Sequence, residues 1–383
     1  MVQYNFPTTI LFGEGSLSEG LRRIKKMGLH RPLIVTDETL LKLGMGDFLK
    51  KECEQHQLVA TVFSDVHPNP IEEDVILGAK LYSQERCDCV IALGGGAPMD
   101  VAKVILIAAT HEGPLSKFDD AKGGDKYIVN PLAPIFAVPT TAGTGSEVGR
   151  AGVIIVKDTG LKTVIFHPTL LPTLAILEPS LTVNLPAHMT AATGVDAFTH
   201  AIEAYFAPGF HPMADGIALE AMDLVLKNLS LVVEDGKNLE ARGKMLLAAS
   251  MGATAFQKGL GMVHSMAHPL SSECGLHHGL ANAVCLPGCV EFLENSTLTT
   301  DQKIRLLKVS SLFESNVLDK GKLSQSIRNW TESLGIKIGL SNHGVSKENI
   351  EVLSDKAVLD GCHQTNMIPV NKGDFVQVFN SVM

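Results

Sequence analysis

Hydrophobic and polar residues alternate in blocks along the first half of the chain, and these blocks predict strands and helices in turn. Short apolar runs predict strands at 32–37, 58–66, 87–96, at the start of 134–147 and at 174–179, with a further strand pair at 152–156 and 163–166. Helical patterns lie between them at about 40–57, from the turn at 67–70 to about 84, and at 97–110. Alternation of this kind is typical of a parallel sheet covered by helices on both faces.

The pattern changes after Pro186, where helical periodicity dominates to the C-terminus and β-branched runs become few. We therefore expect an α/β domain at 1–184 and an all-helical domain at 185–383. Glycines at positions 236, 261, 275 and 361 predict the ends of helices in the second domain. The charged, amphipathic segment 301–350 predicts an outer helical layer.

Composition narrows the class of protein. A chain of 383 residues with 45% hydrophobic and 19% charged residues is long enough for two cores. The net charge of −9 and the lack of a basic run argue against nucleic acid as a partner. Seven scattered cysteines, no signal-like N-terminus and no apolar stretch of membrane-spanning length predict a cytoplasmic protein with reduced thiols and no membrane contact.

Histidines concentrate in the segment GMVHSMAHPLSSECGLHHG at 261–279. His264 and His268 are four residues apart and share a helix face, as do Asp196 and His200 in GVDAFTHAIEAY. One such pair is often only a polar helix face. Two pairs among small and apolar residues favour a divalent metal site of one carboxylate and several imidazoles, with a histidine left over for proton transfer.

Two glycine-rich loops follow predicted strands. LGGGAPMD at 93–100 precedes a helix, whose N-terminal N–H groups suit a phosphate, although a tight strand-to-helix turn explains the glycines too. PTTAGTGSE at 139–147 supplies a second loop. If the two strands are neighbours, these loops form a crevice suited to a dinucleotide. Asp37 ends the first strand, where it either binds a ribose diol or caps the next helix.

The chain resembles the iron-containing, or group III, alcohol dehydrogenases along essentially its whole length. The motifs FPTTILFGEG, GGGAPMD, PTTAGTGSE, GVDAFTHAIEAY, GMVHSMAHPL and HHGLANA carry the resemblance in order and spacing. The family includes lactaldehyde reductases, propanediol dehydrogenases and butanol dehydrogenases. The resemblance implies a dinucleotide-binding α/β domain of the dehydroquinate synthase type and an all-helical domain. It also implies NAD and Fe(II), with Zn as an alternative, an alcohol or aldehyde substrate, and a homodimer or higher homo-oligomer.

The same resemblance assigns roles to individual residues. It implies four metal ligands: Asp196, His200, His264 and His278. It makes His268 a histidine beside the nicotinamide and a proton relay. It implies a set of NAD contacts: Asp37, Asn69, Gly95, Gly96, Ala97, Asp100, Thr140, Thr141, Thr144 and Lys162.

The chain departs from the family pattern in several places. Ala97 stands where the family commonly has serine, which removes one phosphate hydrogen bond. The segment 271–277 replaces the usual residues on the expected substrate side, and TNMIPV replaces the usual TNPRP. These departures leave the substrate open. Arg150, near the substrate end in the family, either pairs with a substrate carboxylate or phosphonate or is a surface or interface arginine.

The expected reaction is NAD-dependent, reversible hydride transfer with a primary alcohol or aldehyde, with the metal as Lewis acid. One alternative is a lyase related to dehydroquinate synthase, which has the same architecture. The intact D-x3-H, H-x3-H and HG set argues against it. Another alternative is a non-catalytic nucleotide- or metal-binding protein, which does not need His268. The sequence does not identify the substrate, the native metal or the oligomer.

Overall fold

A computed structural model describes residues 8–160 and 162–383 of the chain. The first residues of the FPTTILFGEG motif lie outside these ranges. The described residues divide into two compact units. We call residues 8–141 with 145–182 the sheet unit, and residues 142–144 with 183–383 the helical unit.

The sheet unit contains a six-stranded, all-parallel sheet within the described residues. Its strands are β1 (Thr9–Phe12), β2 (Pro32–Val35), β3 (Thr61–Phe63), β4 (Cys89–Gly94), β5 (Ile135–Pro139) and β8 (Leu174–Leu177), in the order β1-β8-β5-β4-β2-β3. A separate antiparallel pair is formed by β6 (Ala151–Ile155) and β7 (Lys162–Phe166). The central strands β4, β2 and β5 end at one edge, because parallel strands share their direction.

Apolar side chains are buried on both faces of this sheet. In β4, Val90 and Ala92 belong to one core cluster, whereas Ile91 and Leu93 belong to the other. The helices of the unit are α1 (Ser16–Lys26), α2 (Glu38–Lys42), α3 (Met45–Gln55), α4 (Glu72–Gln84) and α5 (Gly96–Thr110). Residues of α4 and α5 pack on the first face, and residues of α1 and α3 pack on the second. This two-sided burial explains the continuous apolar runs of the strands.

Two sequence predictions in this unit are wrong in extent. The single helix expected at 40–57 is two helices, because Gly44 adopts a left-handed backbone with φ of 77° and ends the first. The strand expected at 58–66 is formed only over Thr61–Phe63, at the sheet edge. Both errors concern where an element ends, which periodicity alone does not define.

The helical unit contains nine α-helices among the described residues. They are α6 (Ala187–Phe206), α7 (Pro212–Glu234), α8 (Leu239–Ala255), α9 (Met262–Cys274), α10 (His278–Glu294), α11 (Thr300–Asn316), α12 (Leu323–Ser333), α13 (Ile350–Leu359) and α14 (Lys372–Ser381). Helix α6 is buried from Thr190 onward and packs against α7, α8 and α10. Phe198 on α6 contacts the rings of Phe313 and Trp330.

The predicted fold class, a parallel α/β sheet followed by a helical region, is confirmed. The predicted glycine boundary at 275 is also correct, since Gly275 ends α9 with φ of 67°. Gly261, in contrast, precedes the start of α9 and does not end a helix. None of the helices in the described ranges has both the length and the apolar character needed to cross a bilayer.

Candidate functional site

Three helices of the helical unit bring the predicted ligands together. Asp196 and His200 lie one turn apart on α6, and His264 lies in the first turn of α9. His278 is the first residue of α10, immediately after the exposed His277. Asp196, His200 and His264 are all buried. The side chains of Asp196, His200 and His264 therefore point into the core, toward one common point.

The ligand-type atoms of these residues converge on one carboxylate oxygen. Asp196 Oδ1 lies 3.9 Å from His200 Nε2, 3.8 Å from His264 Nε2 and 3.6 Å from His278 Nε2. Two ligands of a tetrahedral ion with bonds of about 2.1 Å are separated by about 3.4 Å. The donor set of one carboxylate and three imidazoles therefore suits a divalent iron or zinc ion in its chemistry, and each imidazole nitrogen lies near that spacing from Asp196 Oδ1. The donor atoms of Asp196, His200 and His264 also lie within 4.8 Å of one another.

The surroundings of Asp196 and His200 favour the protonation states that metal binding requires. Burial lowers the pKa of His200 to about 4, so that this imidazole is neutral near pH 7. Burial alone raises the pKa of Asp196, but the neighbouring His200, His278 and His264 outweigh it and hold that pKa below its usual value. The site therefore combines one anionic ligand with imidazole lone pairs, which a cation stabilises.

Glu203 supports His264 from the side opposite the cluster. His264 Nδ1 donates to Glu203 Oε2 at 2.6 Å, which leaves the unprotonated Nε2 of His264 to face Asp196. The other Glu203 oxygen, Oε1, accepts the Val263 backbone N–H at the start of α9. A Cβ on Gly261 would lie 2.7 Å from this Oε1, so glycine is needed for the close approach. This carboxylate–imidazole pair is a common support for metal-binding histidines.

Asn282 completes the buried part of the cluster, one turn after His278. Its Nδ2 donates to Asp196 Oδ1 at 2.7 Å and lies 3.2 Å from His278 Nε2 and 3.4 Å from His264 Nε2. Its buried Oδ1 has no hydrogen-bond partner among the residues that the structure describes. Asn282 thus supplies an amide donor to a cluster that is otherwise rich in acceptors, and it lies against three of the four predicted ligands.

His268 lies beside the cluster but has a different partner. Its ring stacks on that of His278, with centroids 5.3 Å apart, and its Nδ1 lies 2.7 Å from Asp360 Oδ2. The His268 side chain is 37% exposed, whereas that of His264 is 2% exposed. His268 is therefore the more accessible of the two histidines on α9, as a proton relay requires.

Most of the predicted cofactor residues of the sheet unit lie along one edge of the parallel sheet. Asp37 follows β2, Gly95 and Gly96 follow β4, and Thr140 and Thr141 follow β5. The sequence left open whether these strands are neighbours, and the sheet order β5-β4-β2 places them side by side. A crevice beyond the carboxyl ends of such strands is the usual dinucleotide position in open α/β sheets.

The glycine turn at this edge has the backbone features of a phosphate-binding turn. Gly95 is the N-cap of the 15-residue helix α5, whose first N–H groups are available to an anion. A Cβ on Gly95 would lie 3.3 Å from Thr141 Oγ1, so a side chain there would narrow the turn. Gly94 has φ of 148°, a backbone conformation that favours glycine. The turn thus fits close approach of a cofactor pyrophosphate.

The remaining predicted cofactor residues are placed as follows. Asp37 caps α2 by accepting the Leu40 N–H at 2.9 Å, so the capping role is formed. Both Asp100 oxygens accept hydrogen bonds, from Ser146 Oγ and the Val153 N–H, which anchors the loop after β5. Ala97 lies in the first turn of α5, Asn69 in the turn before α4, and Lys162 at the start of β7. Thr144 lies in the helical unit.

Comparison with known proteins decides the family. The family described as "Iron-containing alcohol dehydrogenase" matches residues 7–179, and "Fe-containing alcohol dehydrogenase family, C-terminal" matches residues 190–383. The chain belongs to the iron-containing alcohol dehydrogenase family. The resemblance read from the motifs is thereby confirmed.

Relatives within the iron-containing alcohol dehydrogenase family cover nearly the whole chain. A 4-hydroxybutyrate dehydrogenase of Cupriavidus necator is 38% identical over 97% of both chains. An NAD-dependent methanol dehydrogenase of Bacillus methanolicus is 33% identical over 100% of both. The crystal structure of a 1,3-propanediol oxidoreductase has a TM-score of 0.92 at 34% identity, with 100% of both chains covered. All three names describe oxidoreductases, which favours that reaction over a lyase.

The departures from the family pattern lie at the end of α9 and in the turn that follows. Ser271 is buried, Ser272 Oγ donates to Glu273 Oε1, and Glu273 pairs with Lys356 at 2.5 Å. Arg150 precedes β6 in the sheet unit, half-buried, with its guanidinium 5.2 Å from the centroid of the Phe166 ring. Contact with the Phe166 ring of β7 gives Arg150 a packing role.

Sequence reasoning missed three residues of this iron-containing alcohol dehydrogenase site: Glu203, Asn282 and Asp360. Glu203 is three residues after His200 on the same predicted helix, and Asn282 is four after His278, so helical spacing was an available signal for both. Asp360 is 92 residues away from His268, and no local spacing connects the two.

Proposed function

We propose that this protein is an NAD-dependent, iron-containing alcohol dehydrogenase that transfers hydride reversibly between NAD(H) and a primary alcohol or aldehyde. The convergence of three imidazole nitrogens on Asp196 Oδ1 carries the proposal. Asp196, His200, His264 and His278 are the proposed ligands of Fe(II), with Zn as the alternative metal. Family membership and the NAD-dependent relative support the choice of iron and NAD.

When bound, the metal supplies Lewis-acid polarisation of the substrate oxygen, and NAD supplies the hydride acceptor. The side chains of the protein hold these groups and handle the proton. Asp196 provides the one anionic ligand, and burial favours the neutral form of His200 and His278, so that the site with a divalent ion keeps a net positive charge. His268 accepts the alcohol proton in oxidation and returns it in reduction.

We further propose that the chain has a nucleotide-binding domain at 1–184 and a catalytic domain at 185–383. The carboxyl edge of the sheet supports the first and the ligand cluster supports the second. The seven cysteines are free, which suits a reducing, cytoplasmic location. A homodimer is the proposed assembly, and light scattering on purified protein tests it.

A substrate panel tests the function. Purified protein is loaded anaerobically with iron and assayed by nicotinamide absorbance with NADH or NADPH and a series of primary aldehydes, with the corresponding alcohols in reverse. The panel includes methanol, 1,3-propanediol and 4-hydroxybutyrate, which the names of relatives suggest. Metal-dependent turnover supports the proposal. Full metal content without turnover on any alcohol or aldehyde contradicts the proposal. The lyase and the non-catalytic binding protein would then be the remaining candidates.

Asp37→Gly is expected to shift cofactor preference from NAD toward NADP. A carboxylate beside the ribose accepts its 2′-OH and repels a 2′-phosphate. Loss of the cap on α2 costs only a few tenths of a kcal/mol when glycine replaces the capping residue. The measurement is the ratio of kcat/KM for the two cofactors in wild type and variant. Asp37→Asn is the matched control, because asparagine removes the charge and keeps the helix cap. It therefore separates the effect of the charge on cofactor preference from the effect of losing the cap. Equal use of NADPH and NADH by the wild type would show that the assignment of Asp37 is wrong.

Arg150→Ala is expected to reduce kcat/KM for an acidic aldehyde by about 10-fold or more while sparing neutral aldehydes, because a charged hydrogen bond contributes about 1.5–3 kcal/mol. The relative named as a 4-hydroxybutyrate dehydrogenase motivates a substrate carboxylate. The Arg150 guanidinium lies over the Phe166 ring, and its fork of N–H donors matches the geometry of a carboxylate. Succinate semialdehyde and butyraldehyde form the matched substrate pair. The same change in activity on both aldehydes would leave Arg150 with its packing role only.

A further inference from the structure

We propose that Asp360 is a positioning residue for proton transfer, which holds His268 with its proton on Nδ1 and leaves Nε2 as the basic nitrogen. The inference rests on the proposed dehydrogenase function, in which His268 accepts the alcohol proton. Asp360 is the residue directly after α13, and its Oδ2 lies 2.7 Å from His268 Nδ1. A carboxylate opposite one ring nitrogen fixes both the tautomer and the orientation of an imidazole.

Asp360 is itself held in place from the other side. Its Oδ1 accepts the Ser265 hydroxyl and the Cys362 backbone N–H, each at 2.8 Å. Ser265 Oγ in turn accepts the His363 backbone N–H at 2.9 Å. Ser265 is fully buried and lies on α9, three residues before His268. One turn of α9 and the segment after α13 thus form a closed network around this carboxylate.

The network keeps Asp360 ionised. Burial alone raises its pKa, but the hydrogen bond from His268 and those from Cys362 and Ser265 outweigh burial and hold the pKa well below its usual range. An ionised carboxylate has no proton to donate, so the hydrogen in the contact with His268 belongs to the imidazole Nδ1. Neutral His268 then carries its free lone pair on Nε2.

A second metal site is the competing interpretation, because His268, Asp360 and Cys362 place three ligand-type atoms close together. The hydrogen bonding argues against it. Asp360 Oδ1 already accepts two hydrogen bonds, and Asp360 Oδ2 lies 2.7 Å from His268 Nδ1, so both carboxylate oxygens already have partners within the protein. The cluster is therefore better suited to holding a proton than a cation.

A double-mutant cycle tests whether Asp360 acts through His268. Asp360→Asn is expected to lower kcat by about 10- to 100-fold, the scale at which carboxylates support imidazoles in metal sites. Metal content and the KM for NAD(H) should stay at wild-type values. His268→Ala is expected to lower kcat by about 100-fold. Adding Asp360→Asn to His268→Ala should cause no further loss, because the residue that Asp360 positions is gone. Asp355→Asn, an exposed carboxylate on α13, is the matched control.

Wild-type kcat in the Asp360→Asn variant would overturn the proposal, as would full, additive loss in the double variant. Loss of a second equivalent of metal in Asp360→Asn would instead establish the competing metal site and overturn positioning.

A second measurement does not depend on activity. The ¹⁵N spectrum of histidine-labelled, zinc-loaded wild type should show His268 protonated at Nδ1, with the resonance assigned by its absence in His268→Ala. Protonation at Nε2 would overturn the proposal even if Asp360→Asn does not fold. If the wild type does not turn over any alcohol but His268 is protonated at Nδ1, the proposed function fails while the arrangement of Asp360 and His268 stands.

Discussion

His264→Ala is expected to lose bound metal and alcohol turnover together. His264 is 2% exposed, and its Nε2 lies 3.8 Å from Asp196 Oδ1. Removal of one imidazole leaves three ligands and leaves Glu203 Oε2 without its donor in the core. Turnover should fall by about 10³-fold or more, since both metal retention and Lewis-acid polarisation are lost. Metal content by elemental analysis, measured beside kcat on the same preparation, checks this.

Three further alanine variants serve as controls in the same experiment. His278→Ala should resemble His264→Ala. His277→Ala should keep both metal and activity, because His277 is exposed and adjacent residues at a helix start point about 100° apart. His268→Ala should keep its metal and lose about 100-fold in rate. A metal-free His268 or His277 variant, with metal retained in His278→Ala, would show that the ligand set is wrong.

Spacing within one helix identified two residue pairs of the site from the sequence. Asp196 with His200 and His264 with His268 are i,i+4 pairs, and each pair occupies one helix as predicted. The glycine and threonine loops could also be placed at strand ends, because buried apolar runs precede them. Whether those strands are neighbours depends on the strand order β5-β4-β2, which pairing in three dimensions determines.

The limits of the sequence appear where two distant segments share a hydrogen bond. Asp360 and His268 are connected only by the packing of α13 against α9, and the sequence around Asp360 contains no periodic signal. The break of the predicted 40–57 helix at Gly44 shows a second limit, because glycine is tolerated in many helices. Only the backbone angle of Gly44 shows that a helix ends there. Asp37 shows a third kind of limit. Its position suits both a ribose contact and a helix cap, and the neighbouring residues do not distinguish the two roles.

Glu203→Gln is expected to weaken metal binding by about 10- to 100-fold, the usual effect of removing a carboxylate that supports a metal-bound imidazole. Burial alone lowers the pKa of His264, but the charge and hydrogen bond of Glu203 outweigh it and raise that pKa above its usual value, so the carboxylate increases the basicity of this ligand. Glutamine keeps the size of the side chain and an acceptor oxygen but loses the charge. The measurement is the dissociation constant of zinc or iron by competition with a chelator.

Glu220→Gln, on the exposed side of α7, is the matched control and should leave metal affinity unchanged. Glu203→Leu separates the effect of the charge from that of the hydrogen bonds. Leucine removes the charge and also leaves His264 Nδ1 and the Val263 N–H without their acceptors. Each unsatisfied buried donor costs about 1–3 kcal/mol of folding stability, so this variant should melt at a clearly lower temperature than Glu203→Gln. Wild-type metal affinity in Glu203→Gln would mean that Glu203 serves the start of α9 alone, through the Val263 N–H, and contributes nothing to the metal ligand beside it.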